Sequence, residues 1–156
     1  AREGAHSPLL ECLTWLVTGA SAAISLIAWK PVVKRYGVAV AYLAAILVEV
    51  VGVAATVTLP FPASALLGGV LLGFTFIVIT AYGLQLGRVL ASESPRQVLA
   101  LMTAAFGVGQ ILGPLGAGFL AARTGSYVLP SLAAAAILLL AAVIVVLGGV
   151  LSIKSR

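Results

Sequence analysis

The stretch of sequence that decides the fold is residues 128–151, VLPSLAAAAILLLAAVIVVLGGVL, which contains no charged residue in 24 positions. About 20 apolar residues in a helix are enough to cross the hydrocarbon core of a bilayer. The stretch shows none of the apolar–polar alternation that is typical of a half-buried strand. Because lipid offers the backbone no hydrogen-bond partner, an apolar run of this length predicts a membrane-spanning helix.

Four further apolar stretches precede this one, so the whole chain has the pattern of a membrane protein. The predicted spans are residues 9–29, 38–59, 63–86, 98–122 and 128–151. Apolar residues make up 62% of the chain and charged residues only 8%, whereas a soluble domain carries about 25% charged residues. The expected fold class is therefore an all-α membrane protein of five transmembrane helices, with the lipid bilayer as a partner.

Prolines and turn residues mark the ends of the spans. In span four, Ser94 is the predicted N-cap, Pro95 occupies the first helical position, and Gln97 occupies the capping-box position. Residues 59–62 (LPFP) separate spans two and three, and residues 123–126 (RTGS) separate spans four and five. Connections this short predict that successive helices are antiparallel neighbours.

Lysine and arginine are distributed unequally between the two sides of the predicted bundle. Seven lie on the side that holds the C-terminus: Lys30, Lys34, Arg35, Arg88, Arg96, Lys154 and Arg156. Only Arg2 and Arg123 lie on the other side. The positive-inside rule therefore predicts a cytoplasmic C-terminus and an outside N-terminus. The expected location is a bacterial plasma (inner) membrane. Five spans that start outside are the arrangement expected of a piece cut after an odd number of helices.

Several classes of function find no support in the sequence. The net charge of +5 does not indicate nucleic-acid binding, because the basic residues occur singly or in short groups between apolar runs. A single cysteine, Cys12, excludes an intramolecular disulfide and a cysteine metal cluster. His6 is isolated near the N-terminus, and no phosphate-binding loop or nucleophile with a paired base is present. We therefore expect no enzyme, no cofactor and no metal site.

Two segments resemble a known transporter family. Residues 102–125, MTAAFGVGQILGPLGAGFLAARTG, resemble the eleventh helix of major facilitator superfamily transporters, most closely the YbfB/YjiJ-type branch. Residues 29–37, WKPVVKRYG, resemble the basic loop between helices eight and nine of that superfamily. The resemblance implies that residues 1–156 are a partial C-terminal transmembrane domain, helices eight to twelve of a twelve-helix bundle. It further implies that N-terminal helices of the same chain are missing. The orientation that it implies for the helices in the membrane is the same as the one predicted from the charge distribution.

Span one carries regularly spaced polar residues. Glu11, Thr14, Thr18, Ser21 and Ser25 recur at intervals of three and four residues, so they share one side of a helix. One interpretation is that the four hydroxyl residues line a water-filled substrate path. The other is that small hydroxyl side chains let neighbouring helices approach closely and share hydrogen bonds. Glu11, near the outer end, is expected at the membrane interface.

Span four combines small residues with one polar side chain. Gly109, Gly113, Pro114 and Gly118 predict a bend or a tight helix contact, because proline removes a backbone hydrogen bond and glycine removes side-chain bulk. Gln110 lies among them near the middle of the span. It is expected either to bind a polar group of the substrate or to bond to a neighbouring helix.

Span three continues the pattern of small residues and adds three candidates for the substrate path. Thr80 shares a stripe with four glycines, for which helix packing is the favoured role: Gly69, Gly73, Gly83 and Gly87. Tyr82 and Gln85 follow near the predicted cytoplasmic end. They either help to form an inner gate or sit at the membrane interface.

Glu49 is the one formal charge deep within a predicted span. A charged side chain at the centre of a membrane helix costs about 2.5–3.5 kcal/mol on insertion scales, so an intramembrane acid is a candidate functional group. One interpretation makes Glu49 a proton site. The other makes it a protonated, hydrogen-bonded structural residue, and the resemblance favours this role because it matches span two to helix nine, a peripheral scaffold helix.

The function expected from these features is secondary transport. A small organic solute would cross by alternating access, driven by a proton gradient or by exchange, with the rest of the bundle supplying the other part of the site. The alternative is a non-transporting membrane subunit that packs against a partner complex. The sequence upstream of Ala1 would separate these hypotheses.

Overall fold

The computed structural model describes residues 8–149, and this part of the chain forms five helices and no strand. They are α1 (Pro8–Tyr36), α2 (Val38–Thr58), α3 (Ala63–Leu90), α4 (Pro95–Thr124) and α5 (Val128–Leu147). Each is long and apolar enough to cross a membrane. The predicted all-α fold of five transmembrane helices is confirmed. Five predicted features lie outside the described residues: Arg2, His6, positions 150–151 of span five, Lys154 and Arg156.

Helix α1 continues well beyond the apolar stretch from which it was predicted. The basic segment 29–37 was expected to be a loop, but it forms the last turns of α1 as far as Tyr36. Gly37 then ends the helix with a φ of 86°, a conformation that glycine adopts without the clash of a Cβ atom. Charged side chains mark where the hydrocarbon ends, but a helix ends where its backbone geometry changes. Helix α2 therefore begins after a single connecting residue.

Helix α3 is the central helix of the fold. It contacts α1, α2 and α4, and its contacts with the first two are the most extensive. A Cβ atom on Gly73 would lie 2.9 Å from the Thr18 carbonyl carbon, and one on Gly69 would lie 2.7 Å from the Thr18 hydroxyl oxygen. These two glycines therefore let α1 pack directly against the α3 backbone, as small residues do at membrane helix interfaces.

The most tightly packed part of the bundle lies toward the Tyr36 end of α1. We call it the Trp29 core; it consists of Trp29, Val38, Ala39, Ala41, Ala45, Val78, Tyr82 and Leu86. The Trp29 indole donates to the Phe74 carbonyl oxygen (Nε1···O 3.1 Å), and the two rings lie 5.7 Å apart between centroids. The indole thus satisfies its buried N–H while it joins α1 to α3.

Helices α4 and α5 pack on the outside of this group. None of the residues of α4 is buried, and its contact with α3 includes a Phe76–Phe106 ring pair with centroids 6.0 Å apart. Pro95 is the first residue of α4, as expected, but the Ser94 side chain makes no capping hydrogen bond. Helix α5 contacts α2 and α4, and its buried residues are the small or compact Pro130, Ala135 and Ala142.

Candidate functional site

A cavity of about 220 Å³ lies between α1, α2 and α3. Its lining comes from the first half of α1, the second half of α2 and the first half of α3: Thr14, Trp15, Thr18, Glu49, Gly52, Val53, Thr56, Gly68, Gly69 and Leu72. These halves meet at the end of the bundle that carries the 59–62 connection. None of the residues of the Trp29 core lines the cavity. The cavity therefore lies toward one end of the three helices, and the tightly packed core lies toward the other.

The small residues at the α2–α3 interface explain how the cavity is walled. A Cβ atom on Gly52 would lie 2.9 Å from the Leu71 Cβ atom, and one on Gly68 would contact the Thr56 methyl group at 2.5 Å. The two backbones therefore approach each other closely along one wall. The cavity remains on the side where α1 faces this pair.

Glu49 is the one acidic residue that lines the cavity, and it is held by a threonine from the facing helix. Only 8% of Glu49 is exposed, and Thr75 is fully buried. Thr75 Oγ1 is within hydrogen-bonding distance of both Glu49 Oε2 and the Leu71 carbonyl oxygen, the latter at 2.7 Å. No lysine, arginine or histidine lines the cavity. The carboxyl group thus has a hydroxyl partner rather than a cationic one.

The hydroxyl residues predicted on α1 divide into two groups. Thr14 and Thr18 line the cavity, and their hydroxyls donate to the carbonyls of Leu10 (2.8 Å) and Thr14 (2.7 Å) within α1. Ser21 and Ser25 are buried away from it, and Ser25 donates to the Ala22 carbonyl at 2.7 Å. Ser21 also faces Gly73, since a Cβ atom there would lie 3.1 Å from the Ser21 Cβ atom. One predicted face therefore combines a cavity wall with a packing surface.

The three candidates on α3 lie in different surroundings. Thr80 is half-buried and donates to the Phe76 carbonyl at 2.9 Å. Tyr82 is buried in the Trp29 core. Gln85 is exposed and lines a second, more open pocket with Arg88 at the end of α3. None of the three lines the cavity beside Glu49.

The candidates on α4 lie apart from the cavity. Gln110 is exposed, as are all the small residues proposed to bend or pack the helix: Gly109, Gly113, Pro114 and Gly118. No atom of another helix lies within 4 Å of a Cβ atom built on any of these glycines. The structure brings Glu49 together with Thr14 and Thr18, and it leaves Gln110 on a separate surface.

Sequence reasoning missed Thr75, the buried partner of Glu49. A signal was available, because α2 and α3 form an antiparallel pair joined at residues 59–62, and both polar side chains lie near the middle of their helices. In such a pair, residues at similar distances from the connection come to the same level. Of the predicted stripe of glycines, Gly69 and Gly73 face α1, whereas Thr75 lies on the side of α3 that faces α2.

Comparison with protein families identifies the chain. The family model described as "Uncharacterised MFS-type transporter YbfB" matches residues 1–146. The chain belongs to this family. The match confirms the resemblance to the major facilitator superfamily noted on residues 102–125 and 29–37. Comparisons with curated proteins and with solved structures gave no match.

Membership in an MFS-type transporter family, together with five apolar helices, makes this an integral membrane protein of a transporter family. Within residues 8–149, no three histidine, cysteine, aspartate or glutamate side chains are grouped so that they could hold a metal ion.

Proposed function

We propose that the protein is a secondary transporter that moves a small organic solute across the membrane by alternating access. The observation that carries this proposal is the family match over residues 1–146. The arrangement of α1, α2 and α3 supports it, because a cavity lies toward one end of these helices and the tightly packed Trp29 core toward the other, as expected of a path that is closed at one side. Alternating access requires such a path to open to each side in turn.

We further propose that residues 1–156 form a partial C-terminal domain, helices eight to twelve of a twelve-helix bundle. The exposed face of α4 supports this, because Gly109, Gly113 and Gly118 form a surface of small residues without a neighbour in the described part of the chain. Such surfaces in membrane helices serve close packing. N-terminal helices of the same chain would cover this face, and Gln110 would then lie at their interface.

The substrate path would run along the cavity side of α1. Thr14 and Thr18 would contact the solute there, while Ser21 and Ser25 would hold α1 against α3. Tyr82 would belong to the closed end of the path. In the orientation predicted from the basic residues, the cavity faces outward across a bacterial inner membrane.

The alternative, a non-transporting subunit, is also supported by the exposed face of α4, because a partner complex would cover that face equally well.

The test uses the full-length protein that contains this sequence, purified and reconstituted in proteoliposomes. A panel of small organic solutes is first screened for those that raise the unfolding temperature, since a ligand of the folded state stabilises it. A radiolabelled hit is then used in a counterflow assay.

We expect the full-length protein to show saturable counterflow. The 156-residue chain alone should insert into the membrane, aggregate readily and show none, because the faces of α1 and α4 lack their neighbours. A full-length protein that binds no solute and shows no counterflow, but copurifies with a defined membrane complex, would establish the subunit hypothesis instead. Robust uptake by the 156-residue chain would refute the partial-domain proposal.

A further inference from the structure

The pair formed by Glu49 and Thr75 is a buried polar site that helix packing alone does not require. Every other buried residue near the middle of α2 is alanine, glycine or isoleucine: Ala41, Ala45, Ile46 and Gly52. The acid also lines the cavity, so it joins the α2–α3 interface to a space with room for several water molecules, each of which occupies about 30 Å³ in the liquid.

We propose that Glu49 and Thr75 form a proton-binding site that exchanges its proton with water through the cavity, and that loss of the proton transfers the Thr75 hydroxyl bond from the α3 backbone to Glu49. Only one part of this inference rests on the proposed transport function, namely that this proton is the coupling ion for transport. The binding and the hydrogen-bond exchange depend on the geometry alone.

The exchange of hydrogen-bond partners follows from the single hydrogen that the Thr75 hydroxyl can donate. A hydroxyl group has one hydrogen to donate and two lone pairs to accept with, yet Thr75 Oγ1 has three oxygen neighbours: Glu49 Oε2, the Leu71 carbonyl at 2.7 Å and the Leu72 carbonyl at the longer distance of 3.4 Å. When Glu49 is protonated, its O–H donates to Thr75 Oγ1, and the Thr75 hydrogen remains on the Leu71 carbonyl. Both hydroxyl hydrogens, that of Glu49 and that of Thr75, then have an acceptor.

When the Glu49 O–H bond breaks, the proton leaves to cavity water and the bonding electrons stay on the carboxylate. The carboxylate is an acceptor only, so it must draw the single hydrogen of Thr75. The Leu71 carbonyl loses that bond. The link between α2 and α3 becomes a charge-assisted hydrogen bond, which is stronger than the neutral one it replaces.

The cavity lining is mostly apolar, and three threonine hydroxyls accompany Glu49 around it. The hydroxyls of Thr14, Thr18 and Thr56 all donate to carbonyls of their own helices, at 2.8, 2.7 and 2.6 Å, so the lone pairs of these oxygens remain as acceptors. All three residues line the cavity together with Glu49. Ordered water needs such polar partners, and each partner here comes from a different turn of α1 or from α2.

No other titratable side chain lines the cavity from the helices packed around Glu49. On α1, Glu11 and Cys12 are exposed near its start, and the basic residues lie in its last turns. On α2 and α3, Tyr42 and Tyr82 lie toward the opposite end of the bundle, and Arg88 lies in the last turn of α3. Helix α5 carries no titratable residue between Val128 and Leu147. A pH response of this site therefore belongs to Glu49.

The test measures the protonated carboxyl group directly, by infrared difference spectroscopy of the full-length protein between acid and alkaline pH. We expect a carboxyl C=O band that is lost in Glu49→Gln and retained in the matched control Glu93→Gln, which changes an exposed glutamate in the turn between α3 and α4. In Thr75→Val the band should shift to higher frequency because its hydrogen-bond partner is gone. Thr75→Ser should restore the original position.

Uphill accumulation and counterflow are then measured on the same variants. Glu49→Gln should abolish accumulation driven by a proton gradient while retaining counterflow, which need not cycle a proton, and Glu93→Gln should retain both. A band that persists in Glu49→Gln, or that is unmoved in Thr75→Val, overturns the proton site. If Glu49→Gln does not fold, the Thr75 variants still decide the site. If the band behaves as expected but no solute is transported, the proton site stands and the transport function fails.

Discussion

Helices α3 and α4 carry the same number of glycines, five each, in helices of 28 and 30 residues, yet their surroundings are opposite. On α3, a Cβ atom added at any of the five would meet an atom of another helix: α1, α2 or α4. On α4, an added Cβ atom would meet nothing within 4 Å. The comparison teaches that a pattern of small residues indicates a surface suited to close approach, but does not identify the neighbour that makes the approach.

The largest expected effect concerns whether α4 crosses the membrane at all, since it buries none of its residues. In a Cys12→Ser background, single cysteines at Ser92 and Ser126 bracket the helix. We expect an impermeant maleimide to label Ser126→Cys in intact cells and to leave Ser92→Cys unlabelled until the cells are opened. The physical reason is the excess of Lys and Arg on the side of Ser92.

Labelling of both positions in intact cells would show that α4 does not span, and the comparison with α3 would then fail. The reverse pattern would confirm the span but invert the orientation.

The second effect distinguishes a glycine with a neighbour from one without. Gly73→Ala places a methyl group against the Thr18 carbonyl, and overpacking of this kind costs about 1–3 kcal/mol of the free energy of unfolding. The matched variant Gly109→Ala on α4, where an added Cβ atom meets nothing within 4 Å, should stabilise the 156-residue chain by about 0.5–1 kcal/mol, because alanine favours the helix more than glycine does. Both are measured by thermal or denaturant unfolding in detergent.

In the full-length protein, the sign of the Gly109→Ala effect is expected to reverse, because the proposed N-terminal helices would then lie against α4. A stabilising effect in both proteins would contradict the proposal that the α4 face is covered. A neutral Gly73→Ala would contradict the close approach of α1 to α3.

The smallest effect concerns the hydrogen bond that joins α1 to α3. Trp29→Phe keeps most of the aromatic surface but removes the donor to the Phe74 carbonyl, and we expect a loss of about 0.5–1.5 kcal/mol in the free energy of unfolding. Trp15→Phe, at a residue that is 75% exposed, is the control and should change stability by less than about 0.5 kcal/mol. Equal effects of the two would show that the hydrogen bond does not hold α1 in place.

The number of helices followed directly from the sequence, because apolar length alone determines whether a segment spans a bilayer. The ends of the helices did not. Lys30, Lys34 and Arg35 suggested a loop, but charge limits only how deep a residue lies in the membrane, and the helix runs on to Gly37. Ser94 showed the reverse case, in which the position of the helix start was predicted but the capping bond was not formed.

The candidate site was predicted in part. Periodicity predicted that Thr14 and Thr18 lie on one face of a helix. The position of Glu49, an acid deep within an apolar span, made it a candidate functional group. The structure places all three around one cavity. Periodicity alone did not distinguish them from Ser21 and Ser25, because the division depends on where α3 touches α1. Thr75 was missed because a contact between two helices depends on their relative rotation, which no pattern within one helix records.

The single residue between α1 and α2 has a mechanical consequence. The four-residue connections at 59–62 and 91–94 can lengthen or bend when the angle between their helices changes. The connection between α1 and α2 consists of Gly37 only and cannot lengthen. Because only Gly37 lies between Tyr36 and Val38, a displacement of the last turn of α1 must also displace the first turn of α2.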